Sequence, residues 1–301
     1  SWNMQTKFRG LPRCFGIYNF GDKEILSAEI EEICVSTATL PIEDYYESRS
    51  FALTIGLFYQ DRILLELYQY LKNFDISPSE LLQILHKNRM SYSNGIKELF
   101  RSFDYDTKHE LWDKKEDVRK IVKKDKRVLE KYAKGELGVN VLFKHRAIGA
   151  LELIKDIHDA AFLAALEILK EKIPEEFQKS KEFLEELKMF SYLRKTNVFD
   201  YEQKFTHRFS YDFEKLIDSN FSEYPIKLKN SINVEFFADE KQKIMIKEKI
   251  EENGSDVNGI GKILSKMLGN MLQRKVKFDS RAMKENILEN VEISTSPGEF
   301  V

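Results

Sequence analysis

The run FGIYNFGDKEILSAEIEEICVST, residues 15–37, has the pattern of β-strands joined by a turn. An extended segment leads into Gly21-Asp22-Lys23, which is typical of a tight turn, and apolar residues alternate with polar ones after it. The phase of this alternation changes between Ile30 and Ile33, so a regular strand would turn part of its apolar set to the wrong face. A β-bulge near Glu31-Glu32 restores the register, and we expect one there.

Helical patterns dominate the rest of the chain. Residues 41–196 carry apolar side chains at helical spacing, and six prolines and thirteen glycines are few for 301 residues. Apolar residues share one parity again over 226–236, which indicates one or two strands, and two helices follow. The sequence therefore predicts a mainly α fold with a minority of β, an α+β fold with N-terminal strands, a long helical middle and a small α/β C-terminal part.

Three domains are expected from this pattern. Residues 1–40 form a β segment, residues 41–196 a helical domain, and residues 197–301 a small α/β region with two terminal helices. Because the chain already has the pattern of a sheet near its first residues, we expect the β segment to continue from an upstream domain of the same polypeptide.

Local signals place several helix boundaries. Helices are predicted over about 41–73, from Ser77 to before Asn94, and over 112–134, 146–172 and 174–195, with a short extended segment at 139–143. Ser77 with Glu80 has the spacing of a capping box, and Asp239 with Gln242 caps a later helix that ends near Gly254. The last helix begins at residue 255 or 256.

Composition limits the partners and the location. Charged residues make up 33% of the chain but the net charge is −2, which argues against a polyelectrolyte binder. The longest apolar stretch, 160–166, is much shorter than the roughly 20 residues of a membrane helix, so no membrane span is predicted. Cys14 and Cys34 are too few for a disulfide framework and favour a reducing, cytoplasmic location. Their apolar, strand-like surroundings predict two small buried side chains.

One segment, 114–134, holds ten Lys or Arg against four Asp or Glu. This excess suits phosphate, a polyanion or a protein partner, and it equally suits a solvated helix face with ion pairs along it. Tyr132 is its one aromatic residue, so base stacking has little support and a nucleic acid is not expected as a partner.

Four basic residues are the candidates for contact with a substrate or an anion: Arg9, Arg13, Lys144 and Arg146. They flank predicted sheet ends, and Lys144-His145-Arg146 lies at the predicted strand-to-helix junction, where a helix N-terminus would attract an anion. An anionic substrate and a sugar or lipid substrate both remain open.

Two other patterns carry no site. Gly259-Ile260-Gly261-Lys262 lacks the Ser or Thr and the preceding strand of a phosphate-binding loop. The carboxylates of Glu152, Asp156 and Asp159 share a helix face, but the Glu-x-x-His pair of a helical-bundle metal site is missing, so a polar stripe explains them.

Several blocks of the sequence together resemble one enzyme family. These blocks are Thr6–Tyr18, Val35–Leu40 with Glu43-Asp44-Tyr45, Arg49–Tyr59, Val234-Glu235-Phe236, Glu240-Lys241-Gln242 and Asn258–Leu264. They are similar to the region downstream of the barrel in cobalamin-binding radical SAM enzymes, and the similarity covers about the first 75 residues and residues 226–275. Such enzymes are associated with cell-surface polysaccharide or lipid biosynthesis.

The resemblance implies a cobalamin domain and a barrel whose Cys-x3-Cys-x2-Cys motif holds a four-iron cluster that cleaves S-adenosylmethionine, often for methyl transfer. This chain has no such motif, so the resemblance implies the C-terminal accessory or substrate-recognition region, inactive by itself and without a cofactor or catalytic residue of its own. Such a region covers the barrel, shapes the substrate pocket or pairs subunits into a homodimer. The alternative is a stand-alone helical protein-interaction module with the basic 112–134 helix as its docking face.

Overall fold

The computed structural model describes residues 2–124, 126–134, 138–267 and 269–279. The strands are β1 (Gln5–Phe20), β2 (Lys23–Ser36), β3 (Phe205–Tyr211), β4 (Lys227–Phe237) and β5 (Lys275–Phe278). The helices are α1 (Ile42–Ile55), α2 (Leu65–Lys72), α3 (Pro78–Lys87), α4 (Asn94–His109), α5 (Lys115–Lys124), α6 (Lys126–Lys134), α7 (Val141–Glu152), α8 (Ile154–Lys172), α9 (Pro174–Lys195), α10 (Phe213–Asp218), α11 (Glu240–Asn253), α12 (Val257–Lys266) and α13 (Gly269–Leu272). A π-helical turn, Gly56–Gln60, follows α1.

The predicted fold class is confirmed, since the described residues are 58% helix and 19% strand in two small antiparallel sheets. Chain contacts divide the molecule into two compact units. Unit 1 combines Ser1–Gln60, His86–Leu153 and Lys249–Met267, and unit 2 contains the other described residues. The three-domain division at residues 40 and 196 stays a prediction.

Strands β1 and β2 of unit 1 pair with each other along most of their length. The register shifts where Gly10 pairs with Ile30 and Phe15 with Ala28, so the extra residues lie in β1. The predicted bulge near Glu31-Glu32 is therefore wrong, because that part of β2 pairs regularly. The extra residues of β1 include a proline, which has no N–H to donate to the ladder, and this explains why the irregularity falls there.

The segment predicted as extended over 139–143 is helical instead. Asn140 caps α7, because its side-chain oxygen accepts a hydrogen bond from the backbone N–H of Phe143 at 3.1 Å. Helix α12 packs so closely on this turn that a Cβ atom at Gly261 would lie 2.9 Å from the Phe143 carbonyl oxygen. The Asn140 cap and the packing between two helices therefore decide the conformation of a short, mostly apolar run that periodicity alone cannot assign.

Two long predicted helices are interrupted. The 41–73 segment passes from α1 into the π-helical turn that begins at Gly56, and regular α-helix resumes only at Leu65. The 146–172 segment breaks at Leu153, whose backbone dihedrals of −120° and 18° are not helical. Its first part joins the helix that begins at Val141, and its second part is α8.

Unit 2 is built from α8 and α9 packed on each other, with α2 and the sheet β3-β4-β5 against α9. The shared parity predicted in β4 is confirmed, because Ile232, Val234 and Phe236 are buried. Phe190 of α9 stacks on Phe213 with ring centroids 4.3 Å apart. The sequence did not predict β3, α10 or β5, which are short and depend on this aromatic core.

A buried network of charges joins α2, α8 and α9 within unit 2. The carboxylate of Glu66 accepts hydrogen bonds from Arg194 at 2.6 Å, from Lys195 and from the hydroxyl of Ser191 at 3.2 Å. Burial alone would raise the pKa of Glu66, but the two cations overcome it and lower the pKa to about 2. The ring of His158 lies 3.1 Å from the same Ser191 hydroxyl.

Removal of Glu66 should lower the free energy of unfolding far more than removal of a glutamate from an exposed ion pair. Glu66→Ala leaves Arg194 and Lys195 without their carboxylate, and we expect a loss of about 3–5 kcal/mol in the free energy of unfolding. Glu182→Ala breaks an exposed ion pair with Lys227 and should cost less than about 1 kcal/mol. Urea unfolding of both variants measures the difference, and equal midpoints would contradict the role given to the network.

The stability of the protein should fall between pH 6.5 and pH 4 because of His158. Its Nδ1 donates to the Ile154 carbonyl at 2.7 Å, and burial lowers its pKa to about 4. A histidine with a lowered pKa stabilises the fold above its unfolded pKa of about 6.5, and that stabilisation, up to about 3 kcal/mol, is lost as the pH falls. His158→Gln should flatten the dependence of the urea midpoint on pH, whereas the exposed-site variant His207→Gln should follow the wild type.

Candidate functional site

A cleft of about 340 Å³ opens in unit 1 beside β1, α4 and the start of α7. Its charged and polar lining consists of Arg9, Asp106, His109, Glu110 and Lys144. Its apolar lining consists of Phe15, Trp112, Val118, Tyr132, Val139 and Val141, with Gly10 and Gly138 between them. The volume suits one small molecule, and a largely apolar wall with a few polar groups is typical of ligand sites.

Helix α4 positions the two carboxylates of the cleft. Its first turn is capped by Ser93, whose hydroxyl accepts from the N–H of Ile96 at 3.3 Å, and its apolar face is buried. Asp106 and Glu110 are four residues apart at the end of this helix, so they lie one turn apart on the same face. No element was predicted over this stretch, although the serine cap and the spacing of the buried residues are signals of a helix.

Arg9 connects β1 to the carboxylate-bearing face of α4. Its Nε donates to Glu31 at 2.5 Å and its Nη1 donates to Glu110 at 2.7 Å. Glu31 is the residue opposite Arg9 in the sheet, so that pair is a cross-strand contact. Arg49 of α1 also reaches Glu110, at 3.5 Å. Burial nevertheless raises the pKa of Glu110, because the two guanidinium groups only partly offset the loss of water.

Lys144 brings α7 to the same face, and its Nζ lies 2.7 Å from Asp106 Oδ2. His145, next in the chain, is fully buried. Its Nδ1 donates to the Val141 carbonyl at 2.8 Å, and its Nε2 lies 3.1 Å from the hydroxyl of Ser102. Burial lowers the pKa of His145, so the neutral ring accepts from Ser102 and does not add a charge to the cleft.

An aromatic pair forms the apolar side of the cleft. The rings of Phe15 and Tyr132 stack with centroids 4.5 Å apart, above the buried side chain of Leu129. A Cβ atom at Gly10 would lie 2.5 Å from Phe15, and one at Gly138 would lie 2.4 Å from Tyr132. The two glycines therefore allow the backbone to approach both rings and hold the wall in place.

The structure brings together two of the four predicted site residues. Arg9 and Lys144 both line the cleft, whereas Arg146 is buried against Gly56 and donates to the Leu264 carbonyl at 3.4 Å. Arg13 lies in the irregular part of β1, and its side chain is outside the described set. The predicted strand-to-helix junction is wrong, since residues 144–146 lie inside α7.

The partners of these cations were not predicted. Asp106 and Glu110 belong to a stretch between predicted helices that has no predicted role, and Trp112 is the first residue of the predicted 112–134 helix. The carboxylate pair at the end of an amphipathic helix is a recognisable signal, but nothing in the sequence shows that residues 9 and 144 reach it. Among the described residues, no group of three His, Cys, Asp or Glu side chains is placed to hold a metal ion.

Other predicted features have structural explanations. The basic segment 114–134 gives α5 and α6, which bury Val118 and Leu129, and Lys126 pairs with Glu24 at 2.6 Å. Asp159 pairs with Lys155 and Lys188. The role of the basic 112–134 segment as a docking face for a protein partner stays a prediction.

The two cysteines are not disulfide-bonded. The expectation that both are buried is wrong, because Cys34 is exposed and Cys14 is half-buried. Both lie in a two-stranded sheet, and a sheet of this size covers few of its side chains.

Comparison with family models, with curated proteins and with solved structures gives no match to this chain. No helix in the described part of the chain is both long enough and apolar enough to cross a bilayer.

The cleft wall predicts a difference between two glycine variants. Gly138→Ala and Gly21→Ala both place a side chain at positive φ, +61° and +57°, which costs about 1–2 kcal/mol. At Gly21 nothing lies within 4 Å, whereas at Gly138 the new methyl meets Tyr132. We expect Gly138→Ala to lose a further 1–3 kcal/mol or so in urea unfolding, and equal losses would contradict the close approach.

Proposed function

We propose that this chain is the substrate-recognition region of a cobalamin-dependent radical SAM enzyme, with the cleft of unit 1 as the part that contacts substrate. The sequence blocks that resemble that family support the parent enzyme. The observation that carries the recognition role is the convergence of Arg9 and Lys144, from β1 and α7, on adjacent carboxylates beside an aromatic wall. Groups from distant parts of a chain that meet in one cleft are the usual composition of a binding site.

The cofactors implied by the resemblance do not fit this chain's own residues. A four-iron cluster takes cysteine thiolates, and the sequence has two cysteines, one in β1 and one in β2, without the Cys-x3-Cys-x2-Cys spacing. The cluster, the cobalamin and S-adenosylmethionine would therefore belong to upstream domains of the same polypeptide. Methyl transfer in polysaccharide or lipid biosynthesis is the proposed reaction class, and the cytoplasm the proposed location.

Metal analysis of the protein from its complete native reading frame tests the parent enzyme. Purified without oxygen, it should contain about four irons and one bound cobalamin per chain. A native frame without the cluster cysteines that binds neither iron nor cobalt would contradict the proposal and would favour the stand-alone interaction module.

A further inference from the structure

Among the described residues that line the cleft, the Lys and Arg charges balance the Asp and Glu charges. Arg9 and Lys144 face Asp106 and Glu110, and each cation lies within 2.7 Å of a carboxylate oxygen. The next contacts, Arg49 and Glu31, add one charge of each sign. The helix ends are balanced as well, because the last turn of α4 and the first turn of α7 both line the cleft and their dipoles have opposite signs there.

An anion would bind here at a high cost. The remaining N–H groups of Arg9 or Lys144 can reach a phosphate only beside the carboxylate that already accepts from the same cation, so the phosphate would either meet like-charge repulsion or displace that carboxylate. The side chain of Glu110 is only 16% exposed, so it would be left partly desolvated and without its partner. A cation at either carboxylate would lie close to Arg9 or Lys144 and would meet the same like-charge repulsion.

An uncharged ligand with hydroxyl groups can use both pairs without breaking them. A carboxylate offers about four acceptor positions, a guanidinium five N–H donors and an ammonium three, so each paired group keeps capacity for a further hydrogen bond. Two neighbouring hydroxyls can donate to a carboxylate and accept from its cation at the same time. The pairs of Arg9 with Glu110 and of Lys144 with Asp106 lie one helical turn apart and offer this arrangement twice.

The apolar lining suits the other face of such a ligand. Trp112, Phe15 and Tyr132 all line the cleft, and the C–H face of a saturated ring packs well on an aromatic ring. Resting on the proposed recognition role, we infer that the cleft binds an uncharged, hydroxyl-bearing ring, such as one sugar unit, and that it discriminates against phosphate at that position.

The chain has a built-in reporter for this test. Trp112 lines the cleft, and the only other tryptophan, Trp2, is 79% exposed. In the full 301-residue chain with Trp2→Phe, acrylamide quenching of Trp112 is measured with methyl glycosides of glucose, galactose and mannose, with their 6-phosphates and with inorganic phosphate. At least one neutral glycoside should protect Trp112 in a saturable manner, and its 6-phosphate should bind at least tenfold more weakly.

Variants that remove one carboxylate test whether the charge balance of the cleft determines which ligand binds. Glu110→Gln or Asp106→Asn removes one carboxylate and makes the lining net positive, so glycoside binding should weaken and phosphate binding should appear. Glu98→Gln, at an exposed position of α4 that pairs with Arg101, should leave both unchanged. Circular dichroism of each variant checks that the fold is retained.

Phosphate binding that is tighter than glycoside binding, or failure of every neutral glycoside to protect Trp112, would overturn the inference. Either result is compatible with a protein that holds iron and cobalamin, so it would leave the proposed parent enzyme standing. Saturable protection by a glycoside in a protein whose native frame holds neither metal would support the inference and remove the parent enzyme.

Discussion

The two carboxylates at the end of α4 hold three separate parts of unit 1 together. Glu110 contacts Arg9 of the N-terminal sheet and Arg49 of α1, and Asp106 contacts Lys144 of α7. Apolar packing contributes as well, since Phe15 of β1 and Val141 of α7 are buried beside the cleft. The charge pairs and the aromatic wall of Phe15 and Tyr132 together set the shape of the cleft.

Both units place one glutamate between two cations, but the surroundings differ. Glu66 in unit 2 accepts from two cations and a hydroxyl, and its pKa is lowered to about 2. Glu110 has its second cation at 3.5 Å and a further carboxylate nearby, and burial raises its pKa. Glu66 is 1% exposed and lies inside the core, so its network is structural. Glu110 lines the cleft, where a ligand can reach its remaining acceptor positions.

Sequence patterns predicted those features that depend on neighbours in the chain. The capping boxes of α3 and α11 form as expected, because Ser77 with Glu80 and Asp239 with Gln242 bond within one turn. The alternation in β4 is confirmed as well, because it too is a pattern among residues that are close in the chain. The prediction of an extended segment over 139–143 is wrong, since a short, mostly apolar run fits a strand or a helix equally well, and here the Asn140 cap and the packing against α12 decide. The cleft needs contacts between distant residues, which no local pattern contains.

Two of the four basic residues predicted as site residues line the cleft, and their charge alone suggests an anionic ligand. The sequence identifies a basic residue but not the acidic residue that pairs with it in the fold. This chain has 48 basic and 50 acidic residues, so acidic partners are plentiful. Arg9 and Lys144 each have an acidic partner at the cleft. With Arg49 and Glu31 included, three cations face three carboxylates, so the charges of these contacts sum to zero. Recognition in this cleft therefore depends on hydrogen-bond geometry and ring packing, and net attraction contributes little.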